Sequence, residues 1–218
     1  MRVIFMRVKD PFSGYSHLIG LLLSIIGLVL LVYYASVNGT IWHIVSFSIF
    51  GTSLVLLYTS STLYHLLLIS QRGSDILRRI DHMMIYVLIA GTYTPICLIP
   101  LRGVWGWSLL GGIWGIAVVG IIMKAVWKGT PRWLSTTFYI VMGWLVVITF
   151  APLMDNIPLP GMAWLLAGGI IYSIGGVIYA IKKPNFSPVV GFHELFHIFV
   201  MLGSFSHYWL MYRYILYL

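Results

Sequence analysis

Charge is what this sequence has least of. Only 8% of its 218 residues are Asp, Glu, Lys or Arg, and 60% are hydrophobic, whereas soluble domains carry about a quarter charged residues. That scarcity excludes an ordinary soluble domain and points to a multi-span membrane protein. Cysteine is nearly absent as well: Cys97 stands alone, which excludes an internal disulfide and any cysteine-based zinc site. Deep in an apolar stretch, it reads as a packing residue. No ten-residue alternation of apolar and polar residues occurs, so a membrane β-barrel is not expected. The first apolar stretch is too long for a signal peptide and no A-x-A site follows it, so a cleavable leader is not expected either. Low-complexity tracts, short-period repeats and connections long enough for a soluble domain are all missing, and the chain reads as one domain over 1–218.

What is present is apolar residues, in seven long runs. A bilayer core about 30 Å thick takes about 20 apolar residues per helix, and such stretches cover Tyr15–Val37, Trp42–Ile69, Ile80–Pro100, Val104–Trp127, Leu134–Met154, Pro160–Ile181 and Val190–Tyr217. The expected fold is an all-α membrane protein, a seven-transmembrane helix bundle. The second stretch exceeds a perpendicular span and is expected to tilt or protrude. Pro95 and Pro100 fit a kinked or terminating end of the third. Glycines recur in spans four and six (Gly111, Gly112, Gly115, Gly120; Gly168, Gly169, Gly175, Gly176), where small residues let helices approach closely. The GxxxG at Gly111 and Gly115 is expected to serve packing inside the bundle in preference to a dimer face. Tryptophans near span ends, such as Trp42, Trp105, Trp133 and Trp209, fit interfacial belts.

The net charge of +8 could suggest nucleic acid, but its distribution argues otherwise. Arg2, Arg7 and Lys9 precede the first span. Arg72, Arg78 and Arg79 join spans two and three, Lys124, Lys128 and Arg132 join four and five, and Lys182 and Lys183 join six and seven. The alternate connections and the C-terminus hold only Arg102 and Arg213. With eleven against two, the positive-inside rule places the N-terminus in the cytoplasm and the C-terminus outside. The basic balance is a topology signal, and no nucleic-acid partner is expected.

That topology brings polar residues to one depth. His65 is expected roughly 6 Å from the cytoplasmic end of span two, Asp81 within about one turn of the start of span three, and His193 and His197 in the first two turns of span seven. Residues i and i+4 share a helix face, so His193 and His197 can ligate one ion, and Ser61 sits beside His65 by the same rule. A metal shared by His65, His193 and His197 accounts for three imidazoles in otherwise apolar segments. Asp81 suits either a cap on the third span or a group facing the metal. Ser61 suits either a back bond to the carbonyl of residue 57 or a part in the chemistry. Glu194, about 100° around the helix from His193, is expected to point elsewhere and is not a candidate ligand. His82 is expected to face away from the site, His17 to stand in a supporting position, and His43 and His207 to lie near the outer face, too far to take part.

The combination Ser61-x3-His65, Asp81 within RRIDHMMIYVLIAGTYTP, and His193-x3-His197 resembles the bacterial hemolysin III family, within the progestin and adipoQ receptor group and the wider superfamily that includes alkaline ceramidases. The resemblance covers essentially all seven spans. It implies a bacterial inner (plasma) membrane protein with a zinc ion (Zn2+) held by His65, His193 and His197 near the cytoplasmic face, and Asp81 and Ser61 beside the water on it. Because related receptors and ceramidases are lipid amide hydrolases, it also implies a zinc-dependent hydrolase acting on a membrane lipid. A ceramidase-type calcium site is not expected, since the N-terminal segment DPFSGYSHLIG offers only Asp10. The alternatives are a non-enzymatic membrane sensor or regulator with a structural zinc, and a cytolytic pore former. The last ranks lowest, because pores show polar stripes along several helices and these spans show few.

Overall fold

The computed structural model describes residues 8–127, 129–187 and 190–218; Arg2, Arg7 and Lys128 of the charge pattern lie outside them. Among the described residues the secondary structure is entirely helical: α1 (Pro11–Asn38), α2 (Ile41–Leu66), α3 (Gln71–Leu98), α4 (Val104–Val126), α5 (Arg132–Trp144), α6 (Phe150–Asn156), α7 (Leu159–Ile181) and α8 (Phe192–Arg213). A 3-10 segment, Leu145–Thr149, joins α5 to α6, so these eight helices make the seven expected spans. Five of the spans are long and apolar enough to cross a membrane on composition alone: α1, α2, α4, Arg132–Asn156 and α7. The other two, α3 and α8, carry the charged turns and most of the site's polar residues.

Boundaries differ from expectation where polar residues extend a helix. α3 begins at Gln71, behind a Ser70 cap whose hydroxyl accepts from the Gly73 N–H, nine residues before the apolar run at Ile80. Asp81 is therefore not at a helix start. The amphipathic turn Arg72–Arg79 stays helical because its backbone bonds are local and its charged side chains reach water. α2, at 26 residues, spans about 39 Å, longer than the bilayer core, as its composition implies.

The helices close into a ring. α1 packs on α2, α2 on α3, α3 on α5, α5 on α7, α7 on α8, and α8 back on α1; α4 lies outside, mainly against α3. In the middle of the ring the Tyr58 hydroxyl donates to Ser204 Oγ at 2.9 Å, and the Tyr172 hydroxyl lies 2.8 Å from the same atom. One serine thus ties α2, α7 and α8 together. The outward residues of α1 (Leu22, Leu23, Ile26, Val29) and of α4 (Val118, Val119, Ile122) are exposed, as a lipid-facing surface requires.

Glycine packing departs from expectation in α4. A Cβ at Gly175 would meet Phe199 at 2.7 Å, and one at Gly120 would strike the Tyr86 ring, so these positions do bring helices together. Nothing lies within 4 Å of such an atom at Gly111 or Gly115. The GxxxG pair takes no part in packing inside the bundle, because the outer position of α4 turns that face away from the ring.

The interruption of the fifth span has an identifiable cause. Tyr93 of α3 reaches into its backbone ladder: the hydroxyl accepts from the Val146 N–H at 2.8 Å and lies 2.7 Å from the Gly143 carbonyl and 3.0 Å from that of Met142, as donor. A helix in lipid can break its own ladder only where another group satisfies the freed backbone. Tyr93→Phe leaves those groups without a partner and is expected to destabilise the bundle by about 1–3 kcal/mol, read as a lower unfolding temperature in detergent.

Candidate metal centre

The alternation of the helices brings the end of α2, the start of α3 and the start of α8 to one end of the bundle, together with the start of α1. His65 is the penultimate residue of α2; His193 and His197 occupy the first two turns of α8. One ligand nitrogen from each of the three histidines lies within 4.8 Å of the others, and the ring centroids are 5.0, 4.9 and 4.7 Å apart. The Nε2 atoms of His65 and His193 are separated by 3.2 Å. Two nitrogens at 2.0–2.1 Å from a tetrahedral zinc stand about 3.3 Å apart, so this pair already has the spacing such an ion needs. His65 and His197 are buried and His193 is half-buried.

A small cavity of about 20 Å³ adjoins the triad, lined by His17, Ser61, Asp81, His82, His193 and His197 among others. That is room for about one water. Several buried polar atoms around it make no well-formed hydrogen bond: both ring nitrogens of His17, His197 Nδ1 and Ser61 Oγ, which stands beside Asp81. Unpartnered polar atoms are rare in protein interiors, and four at one cavity mark a site built to hold something polar. The donor set fits a divalent, imidazole-preferring ion such as zinc.

Asp81 faces this cavity from the third turn of α3. The capping role that its sequence position allowed does not apply, since Ser70 caps that helix. Ser61 does not make the back bond to residue 57 either; its neighbour Ser60 does, at 2.9 Å. His82, expected to face away, lines the same cavity and lies 3.1 Å from the Tyr179 hydroxyl. Glu194 is engaged by two other groups: one oxygen accepts from the Gly191 N–H at 2.9 Å, and the other from the Ser13 hydroxyl at 3.2 Å. His43 sits 3.2 Å from the Ile215 carbonyl, far from the triad in the chain's fold.

Three contributors were not foreseen in their present roles. His17 stacks on His197 with ring centroids 3.7 Å apart, which gives its supporting position a definite form. Asp10 lies 3.0 Å from His65 Nδ1. His207, set aside as remote, lines a second and larger cavity. The polar run Asp10, Ser13, His17 at helical spacing was a visible signal for the first two. A separation along one helix could not reveal the third.

The larger cavity, about 130 Å³, occupies the ring interior and is walled chiefly by apolar side chains of α2, α3, α5, α7 and α8. Leu57, Ile85, Tyr179, Phe196 and Val200 border both cavities. An apolar chamber therefore adjoins the polar one across shared walls.

The profile of the family described as haemolysin-III related matches residues 5–208. A "Hemolysin-3 homolog" of Bacillus subtilis (strain 168) is 45% identical over 201 residues, covering 92% of each chain. "Hemolysin-3" of Bacillus cereus is 41% identical over 198 residues, covering 90% of this chain and 88% of that one. The human "Monocyte to macrophage differentiation factor" is 26% identical over 208 residues, 92% of this chain and 82% of its own. Metal analysis of the purified protein is expected to find about one zinc per chain, lost or sharply weakened in His193→Ala.

Proposed function

The chain belongs to the haemolysin-III-related family and is an integral protein of the bacterial plasma membrane; from that premise we propose that it is a zinc-dependent hydrolase of a membrane lipid, acting at an amide bond. The observation that carries this reading is the shared wall between a polar, histidine-lined cavity and an apolar chamber inside the bundle. A lipid has that division: a polar linkage joined to an acyl chain.

In this reading His65, His193 and His197 hold the ion, at the end of the bundle that the basic connections assign to the cytoplasm. When bound, zinc supplies a Lewis acid for the scissile carbonyl and lowers the pKa of a bound water to about 7. The remaining work falls to the chain's own side chains. Asp81 orients the attacking water and accepts its proton at the carboxylate. Its negative charge also offsets positive charge that is costly at this depth. The Ser61 hydroxyl, buried beside Asp81, donates to the oxygen on which negative charge develops. The apolar chamber binds the acyl chain and keeps bulk water out, which strengthens these electrostatic contributions.

Purified protein incubated with defined ceramides and N-acyl lipids tests the proposal. Asp81→Asn is expected to retain zinc while turnover falls by at least about 100-fold; unchanged hydrolysis in that variant removes the mechanism. Zinc that resists chelation in a wild-type protein without turnover would support a structural clamp in a sensor or regulator. Conductance across an empty bilayer would support a pore.

A further inference from the structure

The supporting side of the triad lies on a segment that contains none of its members. Where the chain enters α1, residues 9 and 10 fold back against the end of α2. The Asp10 N–H donates to the His65 carbonyl at 2.9 Å. Lys9 Nζ donates to Ser74 Oγ at 3.1 Å and lies 3.7 Å from the centre of the Tyr64 ring. These contacts hold the segment in place; of the Asp10 side chain they involve only a 4.0 Å approach of Lys9 Nζ to Oδ2.

That side chain is then free for another task. Asp10 is the N-cap of α1, where an aspartate ordinarily accepts from the N–H groups of the first turn, yet it makes no such bond. Its Oδ2 instead stands 3.0 Å from His65 Nδ1, and the imidazole is almost fully buried. A carboxylate can only accept, so Nδ1 is the donor. The proton is thereby kept on Nδ1, and the lone pair of the neutral ring is left on Nε2, the atom 3.2 Å from His193 Nε2. Metal-binding histidines commonly donate their second N–H to a carboxylate, which fixes tautomer and ring orientation together.

We propose that Asp10 is a positioning residue of the metal centre: its carboxylate holds His65 in the tautomer and orientation that turn Nε2 towards the ion. This inference rests on the metal reading of the triad given above, though not on hydrolysis. The neighbouring turns of α1 point the same way. Ser13 holds Glu194 at the start of α8, and His17 lies flat against His197. Residues 10, 13 and 17 share one face of the helix, so α1 presents one side to both ligand-bearing elements.

Zinc affinity, measured by chelator competition, and thermal unfolding of the metal-free protein separate this role from mere tethering. The variants are Asp10→Ala, Asp10→Asn and Ser74→Ala. The expected result is a zinc affinity weakened about 10–100-fold in Asp10→Ala and less in Asp10→Asn, whose amide oxygen can still accept from Nδ1. Ser74→Ala, which removes the Lys9 anchor of the same segment without touching Asp10 or His65, is expected to keep wild-type affinity. The metal-free unfolding temperature is expected to stay unchanged in Asp10→Asn and to fall in Asp10→Ala, where the buried Nδ1–H loses its acceptor. Wild-type affinity in Asp10→Ala overturns the positioning role and leaves the metal reading intact. Equal losses in Asp10→Ala and Ser74→Ala assign the effect to tethering and likewise overturn it. A wild-type protein that binds no zinc overturns the metal reading, and this inference with it.

Discussion

A strongly polar side chain inside a membrane bundle must find its partner within the bundle, because lipid offers none. This constraint is sharpest where α2 and α8 meet. Three imidazoles converge there with their nitrogens within 4.8 Å, and a fourth, His17, lies against one of them. The unpartnered nitrogens and the Ser61 hydroxyl mark a site whose hydrogen-bonding and coordinating capacity exceeds what the protein itself uses. The three histidines are so placed that they could hold a metal ion there.

The ring of helices gives this end of the bundle its surroundings. α1 joins α2 to α8, and α5 and α7 complete the circle on the other side. The centre is left to an apolar chamber, with Tyr58, Ser204 and Tyr172 tying three of the helices together. Tyr93 allows the fifth span to depart from regular α-helix beside that chamber, since its hydroxyl takes over backbone groups around Val146. The polar and apolar cavities are thus products of one closure.

α1 has a different standing from the other helices. Most of its length is a lipid-facing span, but its first two turns are polar on the side that meets the triad. Asp10 gives up the usual capping bond of its own helix for a contact with a buried histidine. A local preference is set aside for a tertiary one, as is expected at functional or strained sites.

Much of this was legible in the residues alone. Seven apolar runs specified seven spans, because bilayer thickness and helix rise leave little choice of length. The alternating basic connections implied a shared end for His65, Asp81, His193 and His197, and the i,i+4 spacing put the last two on one face. Depth and spacing are properties of single helices, so sequence can state them. Which faces meet is a property of helix rotation and of the order around the ring, and only the tertiary structure decided it. That order turned His82 towards the cavity, left Gly111 and Gly115 outside the packing, and brought His207 to the chamber wall. It also delivered Asp10 to His65 across 55 residues of chain, a contact that depends on where two helix ends stand and not on any local pattern.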